Sequence, residues 1–216
     1  MLAVKPSELL SRIIDDIEKR KGNDVFMITI DGVDAAGKTI FAAKLSEELR
    51  KRNHTVIEAS MDGFHNPRAI RYRMGRDSPE GYYKDSFNIN AVKTLLIEPL
   101  MDGHLYRTHA FDYKIDQATP FEGALAEPGS ILLFEGVFSL RPELRDFWDY
   151  KIYMKISPEE SLRRGVERDP GEKEEIKRRY NVRYMPGQEL YKAEAKPLEA
   201  ADIIVDYTDP EEPRIL

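Results

Sequence analysis

The chain contains no cysteine. Disulfide staples and cysteine-ligated metal sites are therefore excluded. It also lacks any surplus of positive charge: 33 Lys and Arg stand against 39 Asp and Glu, a net charge of −6. That balance argues against a general nucleic-acid binder, whose phosphate contacts need a basic surface, but it leaves room for a local basic pocket. No apolar run approaches the ~20 residues needed to span a membrane. The first 24 residues are amphipathic and charged, with no signal-peptide pattern. Internal repeats and low-complexity linkers are absent as well. The expectation is a cytoplasmic protein with neither nucleic-acid nor membrane partners.

What is present is 216 residues, 41% hydrophobic and 33% charged. This is enough chain for one domain with a sizeable core and a lid or small insertion. Residues 1–22 read as an N-terminal helical segment. Leu9, Leu10, Ile13, Ile14 and Ile17 lie on one face, which suits packing on the edge of a sheet. Val25–Ile30, Thr55–Ala59, Ser130–Phe134, Tyr150–Ile156 and Asp202–Asp206 read as strands. The segments between them have helical patterning, so strands and helices alternate. That alternation predicts an α/β fold of three layers, a parallel sheet with helices on both faces. The tail after Asp206 is polar, and the charge-rich stretch 172–195 is expected to break at Pro186-Gly187.

One stretch organises the rest. Gly32-Val33-Asp34-Ala35-Ala36-Gly37-Lys38-Thr39 matches G-x-x-x-x-G-K-[ST] in full, after a strand and before a helix opening at Ile40. The glycines permit turns that aim successive N–H groups at a phosphate. Lys38 reaches the outer phosphates and the Thr39 hydroxyl suits Mg²⁺. The helix that follows points its positive end at the same anion. Residues 32–40 are therefore the candidate nucleotide-binding segment.

Two strand ends carry acids. Asp62 follows the second strand, where ligands of open α/β sheets bind. Glu135 closes the buried run 131–134, as the metal-positioning acid of phosphate-loop enzymes does. Thr39 and Glu135 are candidate Mg²⁺ ligands. Residues 62–118 mix Arg68, Arg71, Arg73 and Arg76 with His65, Tyr82, Tyr83 and Phe87, then His109, Phe111, Tyr113 and Asp116. This reads as an acceptor-side segment for a small ring or phosphate ligand, ending in a short hairpin. Ser157-Pro158-Glu159-Glu160 is a strong helix start. Arg164 and Arg168 share a face of that helix, and residues 157–185 read as a lid whose arginines neutralise phosphate.

Taken together, these segments resemble the uridine kinase-like group of phosphate-loop kinases, which includes phosphoribulokinase and bacterial pantothenate kinase. The resemblance runs over roughly residues 25–210. It rests on Gly32–Thr39, Ser60-Met61-Asp62-Gly63-Phe64, Asp85-Ser86-Phe87-Asn88, Phe134–Phe138 and Arg163–Asp169. It implies an ATP- and Mg²⁺-dependent kinase. Asp62 would accept the acceptor's hydroxyl proton and help organise Mg²⁺ with Thr39, Glu135 would position the metal, and Arg164 and Arg168 would hold ATP phosphates, with Lys38 completing the catalytic set.

The implied acceptor is a nucleoside 5′-hydroxyl. A pantothenate, sugar phosphate or nicotinamide riboside type of acceptor is the alternative, and a homo-oligomer is left open. A GTPase switch is disfavoured, since no Asn-Lys-x-Asp occurs, and retention of Lys38, Thr39, Asp62 and Glu135 disfavours a noncatalytic module. One departure stands out. Family members commonly show Tyr-Asp-[Phe/Tyr]-x-x-His before the acidic strand, and here Phe111-Asp112-Tyr113-Lys114-Ile115-Asp116 occupies that place. Asp116 is thus expected to face the acceptor and retune its pocket, with His65, Tyr83, Phe111 and Tyr113 beside it.

Overall fold

The computed structural model describes residues 4–216, so the first three residues of the N-terminal segment lie outside the described residues. Helix α1 (Pro6–Arg20) opens at Pro6, whose fixed φ suits a first helical position. Strand β1 (Phe26–Gly32) is buried along its whole length, as a central parallel strand covered on both faces must be. It runs through the phosphate loop into α2 (Lys38–Lys51). Strand β2 (Val56–Ser60) ends in a 3₁₀ turn, Met61–Phe64, carrying Asp62.

Residues 65–118 then fold as α3 (Arg68–Arg71), α4 (Pro79–Asp85), α5 (Ile89–Val92) and α6 (Glu98–Asp102). The segment closes with a hairpin of β3 (Phe111–Asp112) and β4 (Gln117–Ala118). Asn88 caps α5 through its side chain. Between α5 and α6 the helix widens to a π turn over Lys93–Ile97. Pro99 is the reason, since its ring crowds the carbonyl of Leu95 and it has no N–H to give. That orphaned carbonyl accepts from Arg107 N–H at 2.7 Å, which ties the hairpin segment to the helix.

Strands β5 (Ile131–Glu135) and β6 (Tyr150–Lys155) follow. Next come α7 (Pro158–Arg168), α8 (Lys173–Arg179), α9 (Met185–Ala195) and α10 (Pro197–Ala200). The chain ends with β7 (Ile203–Asp206) and β8 (Arg214–Ile215). The start signal at Ser157 is realised: its hydroxyl accepts from Glu160 N–H. The break expected at Pro186-Gly187 does not occur. A second π turn, Tyr180–Tyr184, absorbs the proline, and α9 runs on through both residues. Gly187 is needed there because a Cβ would sit 2.7 Å from the Tyr82 ring.

Among the described residues the main sheet has the order β2-β5-β1-β6-β7-β8. The strands through β7 pair in parallel, and β8 returns antiparallel to β7. The tail after Asp206 therefore adds an edge strand. Alternation along the strands feeds two cores. Phe26, Ile28, Ile30, Ile131 and Leu133 pack with α1 and α2 on one face. Met27, Leu132 and Phe134 pack with α4, α5, α9 and Phe138 on the other. Helix α1 packs beside α2, and its five apolar side chains share this core with β1, β5 and β6 residues. Each such fully buried Leu, Ile or Phe contributes about 1.5–3 kcal/mol.

Candidate active site

The phosphate loop sits between two cavities that open at the carboxyl ends of the strands. Ala35 (φ 57°) and Gly37 (φ 92°) are both left-handed, a conformation that turns neighbouring N–H groups toward a common anion position. The Lys38 ammonium donates to the carbonyls of Gly32 (3.0 Å) and Val33 (2.8 Å), which holds it over the loop. Ile40 begins the exposed side of α2.

The first cavity, about 370 Å³, is lined by Ala35 to Ile40, Lys44, Arg164, Arg168, Tyr207 and Pro210. The second, about 210 Å³, lies on the other side of the loop. Asp62, Glu135, Thr39, His65, Tyr82, Phe87, Tyr113 and Tyr184 are among its walls. Ala35, Lys38, Thr39 and Arg168 border both cavities. A group leaving one cavity at the loop therefore enters the other.

The metal candidates converge. The Thr39 hydroxyl donates to Glu135 Oε1 at 3.3 Å, and Glu135 and Asp62 line the same cavity. Burial pushes the Glu135 carboxyl up, with nearby Lys38 opposing that shift. A buried carboxylate beside a hydroxyl and a second carboxylate is a hard-oxygen donor set, which fits Mg²⁺. Asp62 is exposed to the cavity. Its backbone is fixed, since its N–H donates to Ser60 Oγ at 3.2 Å.

His65 is held on three sides. Its ring lies 4.5 Å from Phe87 and 4.6 Å from Tyr113, centroid to centroid. Its Nδ1 is 3.0 Å from the Asp62 carbonyl. A carbonyl only accepts, so Nδ1 carries the proton. Burial lowers the pKa of this ring, against the opposing charge of Asp62. His109 lies outside the cavity, behind Gly63.

Three expected contacts are not made. Tyr83 is turned away: it is 1% exposed and its hydroxyl meets Glu194. Its neighbour Tyr82 faces the cavity, because adjacent residues on α4 point about 100° apart. Phe111 sits in the hairpin and lines neither cavity. Asp116 is already committed, accepting from Arg68 N–H (2.8 Å) and Arg71 (3.2 Å). It anchors the turn that carries Tyr113.

The two lid arginines also part company. Arg164 lines the first cavity while bonded to Glu160 (2.6 Å) and to the carbonyls of Tyr207 and Thr208 (3.0 and 2.8 Å). It fastens α7 to the turn after β7. Arg168 reaches the seam between the cavities.

The structure also shows contacts that sequence reasoning missed. Asp34 accepts from Tyr82 of α4 and from Gln188 of α9, at 2.8 and 3.0 Å, and its carbonyl accepts from Ser161 of α7 at 2.7 Å. Asp31, fully buried, accepts from Gly32 N–H, Leu140 N–H and the Tyr191 hydroxyl. Gln188 and Tyr191 lie in a helix whose charge pattern gave no sign of either role.

Known proteins resemble this chain in sequence and in fold. The chain is 24% identical to uridine-cytidine kinase 2-B of Danio rerio over 197 residues, 83% of this chain and 72% of that one. It is 24% identical to uridine kinase-like protein 5 of Arabidopsis thaliana over 150 residues, but spans only 31% of that protein's length. Among solved structures, a possible uridine kinase from Bacillus stearothermophilus superposes with a TM-score of 0.75 at 22% identity, covering 92% of this chain and 97% of that one. That likeness speaks to the fold. The model of the phosphoribulokinase / uridine kinase family matches residues 27–209, most of the chain. The chain belongs to the phosphoribulokinase / uridine kinase family.

Proposed function

We propose that the chain is an ATP-dependent kinase that phosphorylates the 5′-hydroxyl of a nucleoside. Family membership supports phosphoryl transfer to a small molecule. The observation that carries the acceptor class is the charge and lining of the 210 Å³ cavity. Its walls hold Asp34, Asp62, Glu135 and Asp169 against Lys38 and Arg168. Both cations also border the other cavity, at the phosphate loop. The acceptor end is left with carboxylates and the rings of His65, Tyr82, Phe87, Tyr113 and Tyr184. An anionic acceptor, such as a sugar phosphate or pantothenate, would meet carboxylates there, with the nearby Arg71 already paired to Asp116, whereas a neutral or cationic ring meets aromatic walls.

In this reading the 370 Å³ cavity takes the nucleotide, with its phosphates over residues 32–40 and Arg168 alongside. Bound Mg²⁺, held by Thr39 and Glu135 with Asp62, would neutralise phosphate charge. Asp62 accepts the proton of the attacking hydroxyl. Lys38 releases its two loop carbonyls and follows the transferred group. The chain thus supplies position and charge, which is most of what phosphoryl transfer requires.

A panel of uridine, cytidine, nicotinamide riboside, pantothenate and a sugar phosphate, read by ADP release, tests this. Turnover with a nucleoside and none with the anionic acceptors is the expected result. Preference for an anionic acceptor would refute the reading.

A further inference from the structure

We infer that His65 is the residue that reads the acceptor's ring, as a hydrogen-bond acceptor of fixed direction. This rests on the nucleoside reading above and goes further, to a named specificity contact. The backbone at His65 is clamped. His65 and Phe87 form an antiparallel bridge. On either side of it, Asn66 N–H donates to Ser86 at 2.9 Å and Asn88 N–H to Phe64 at 2.7 Å. Phe87 and Tyr113 flank the ring and limit its rotation. The Asp62 carbonyl takes the Nδ1 proton, which fixes the tautomer, so that in the neutral ring Nε2 carries the lone pair.

Among the described residues nothing bonds to Nε2. Nδ1 points to the backbone of Asp62, so Nε2 points away from it. It therefore meets a part of the acceptor remote from the hydroxyl that reacts at Asp62. A fixed, unpaired acceptor in an aromatic-walled cavity selects a planar ring that offers a donor, such as the N3–H of uracil. The same carbonyl that sets the tautomer belongs to the residue proposed as base, so ring reading and proton removal share one short turn, Met61–Phe64.

The test compares uridine with 3-methyluridine, which lacks the N3–H, in the wild-type protein and in His65→Phe. The Phe variant keeps a stacked ring but has no acceptor. In the wild type, kcat/KM for 3-methyluridine is expected to be lower by about 10²-fold or more, since a site built to pair a polar group rejects the ligand lacking it. In His65→Phe, uridine should lose most of that advantage, chiefly through KM, while the KM for ATP is unchanged. An unchanged thermal midpoint and ATP affinity show that the variant is folded.

Equal use of both nucleosides by the wild type would overturn the assignment of His65 and leave the nucleoside kinase standing. Discrimination that survives in His65→Phe would show steric exclusion of the methyl group, and would also overturn it. No phosphorylation of uridine by the wild type would remove the uridine reading, and the assignment with it.

Discussion

The hydroxyl of Tyr82 lies 2.8 Å from both carboxylate oxygens of Asp34 and donates to that carboxylate. One residue belongs to α4 and the other to the phosphate loop, so the hydrogen bond ties the loop to the far wall of the 210 Å³ cavity that both residues line. Gln188 supplies the second donor to the same carboxylate.

Removing this bond should loosen the loop. Tyr82→Phe leaves a carboxylate short of one donor, which typically costs ~1–3 kcal/mol. A lower thermal midpoint, weaker ATP binding and a higher acceptor KM are expected together. Calorimetry and initial-rate kinetics on the purified variant check this. An acceptor KM that rises alone would mean that Tyr82 only lines the cavity.

Lys38→Ala should cut turnover by about 10²–10³-fold, the usual cost of losing one preorganised charge at a transferring group. The fold should persist, because the ammonium's partners are two loop carbonyls at the cavity edge. Near-normal turnover would take the phosphate loop out of the mechanism.

Asp62→Asn is expected to lower kcat by ~10²–10⁴-fold, the range for losing a positioned base. ATP affinity should change little. The amide keeps the shape, and the Ser60 contact is made by the backbone N–H. Rapid-quench measurement of the chemical step separates this from slow product release.

Asp116→Ala and Arg71→Ala should each raise the acceptor KM by roughly tenfold, an order-of-magnitude figure for losing a support of a binding wall. They act by freeing the turn that carries Tyr113. Both remove the Arg71–Asp116 contact, so the double variant should be close to Asp116→Ala alone, which also loses the bond from Arg68 N–H. Additive losses would show that the residues act separately.

Arg164→Ala should change stability and its pH dependence, whereas Arg168→Ala should change kcat. Hydrogen bonds from Arg163, and then from Arg164, hold the Glu160 carboxyl down to about 2. A carboxyl depressed in the folded state stabilises it above its unfolded pKa, about 4.3. That stability is lost as pH falls toward 2. Acid unfolding between those limits should flatten in Arg164→Ala. Equal loss of kcat in both variants, with unchanged acid unfolding, would count against the division of labour.

Local patterns determined much of this protein. The spacing of Leu9 to Ile17, the apolar run 131–134, the cap at Ser157 and the full phosphate-loop pattern each depend on neighbours within a turn or a strand. The sequence alone sufficed for those elements, and for placing Asp62 and Glu135 at strand ends. Three matters were decided only by the tertiary structure. Which face of α4 meets the cavity chose Tyr82 over Tyr83. Contacts across 45 to 48 positions of chain turned Asp116 from a pocket residue into an anchor. The docking of α9, more than 150 positions from the loop, put Gln188 on Asp34 and Tyr191 on Asp31. Periodicity reports which residues share a face of one element. It carries no term for what another element brings to that face, and the pairing of buried polar groups is settled there.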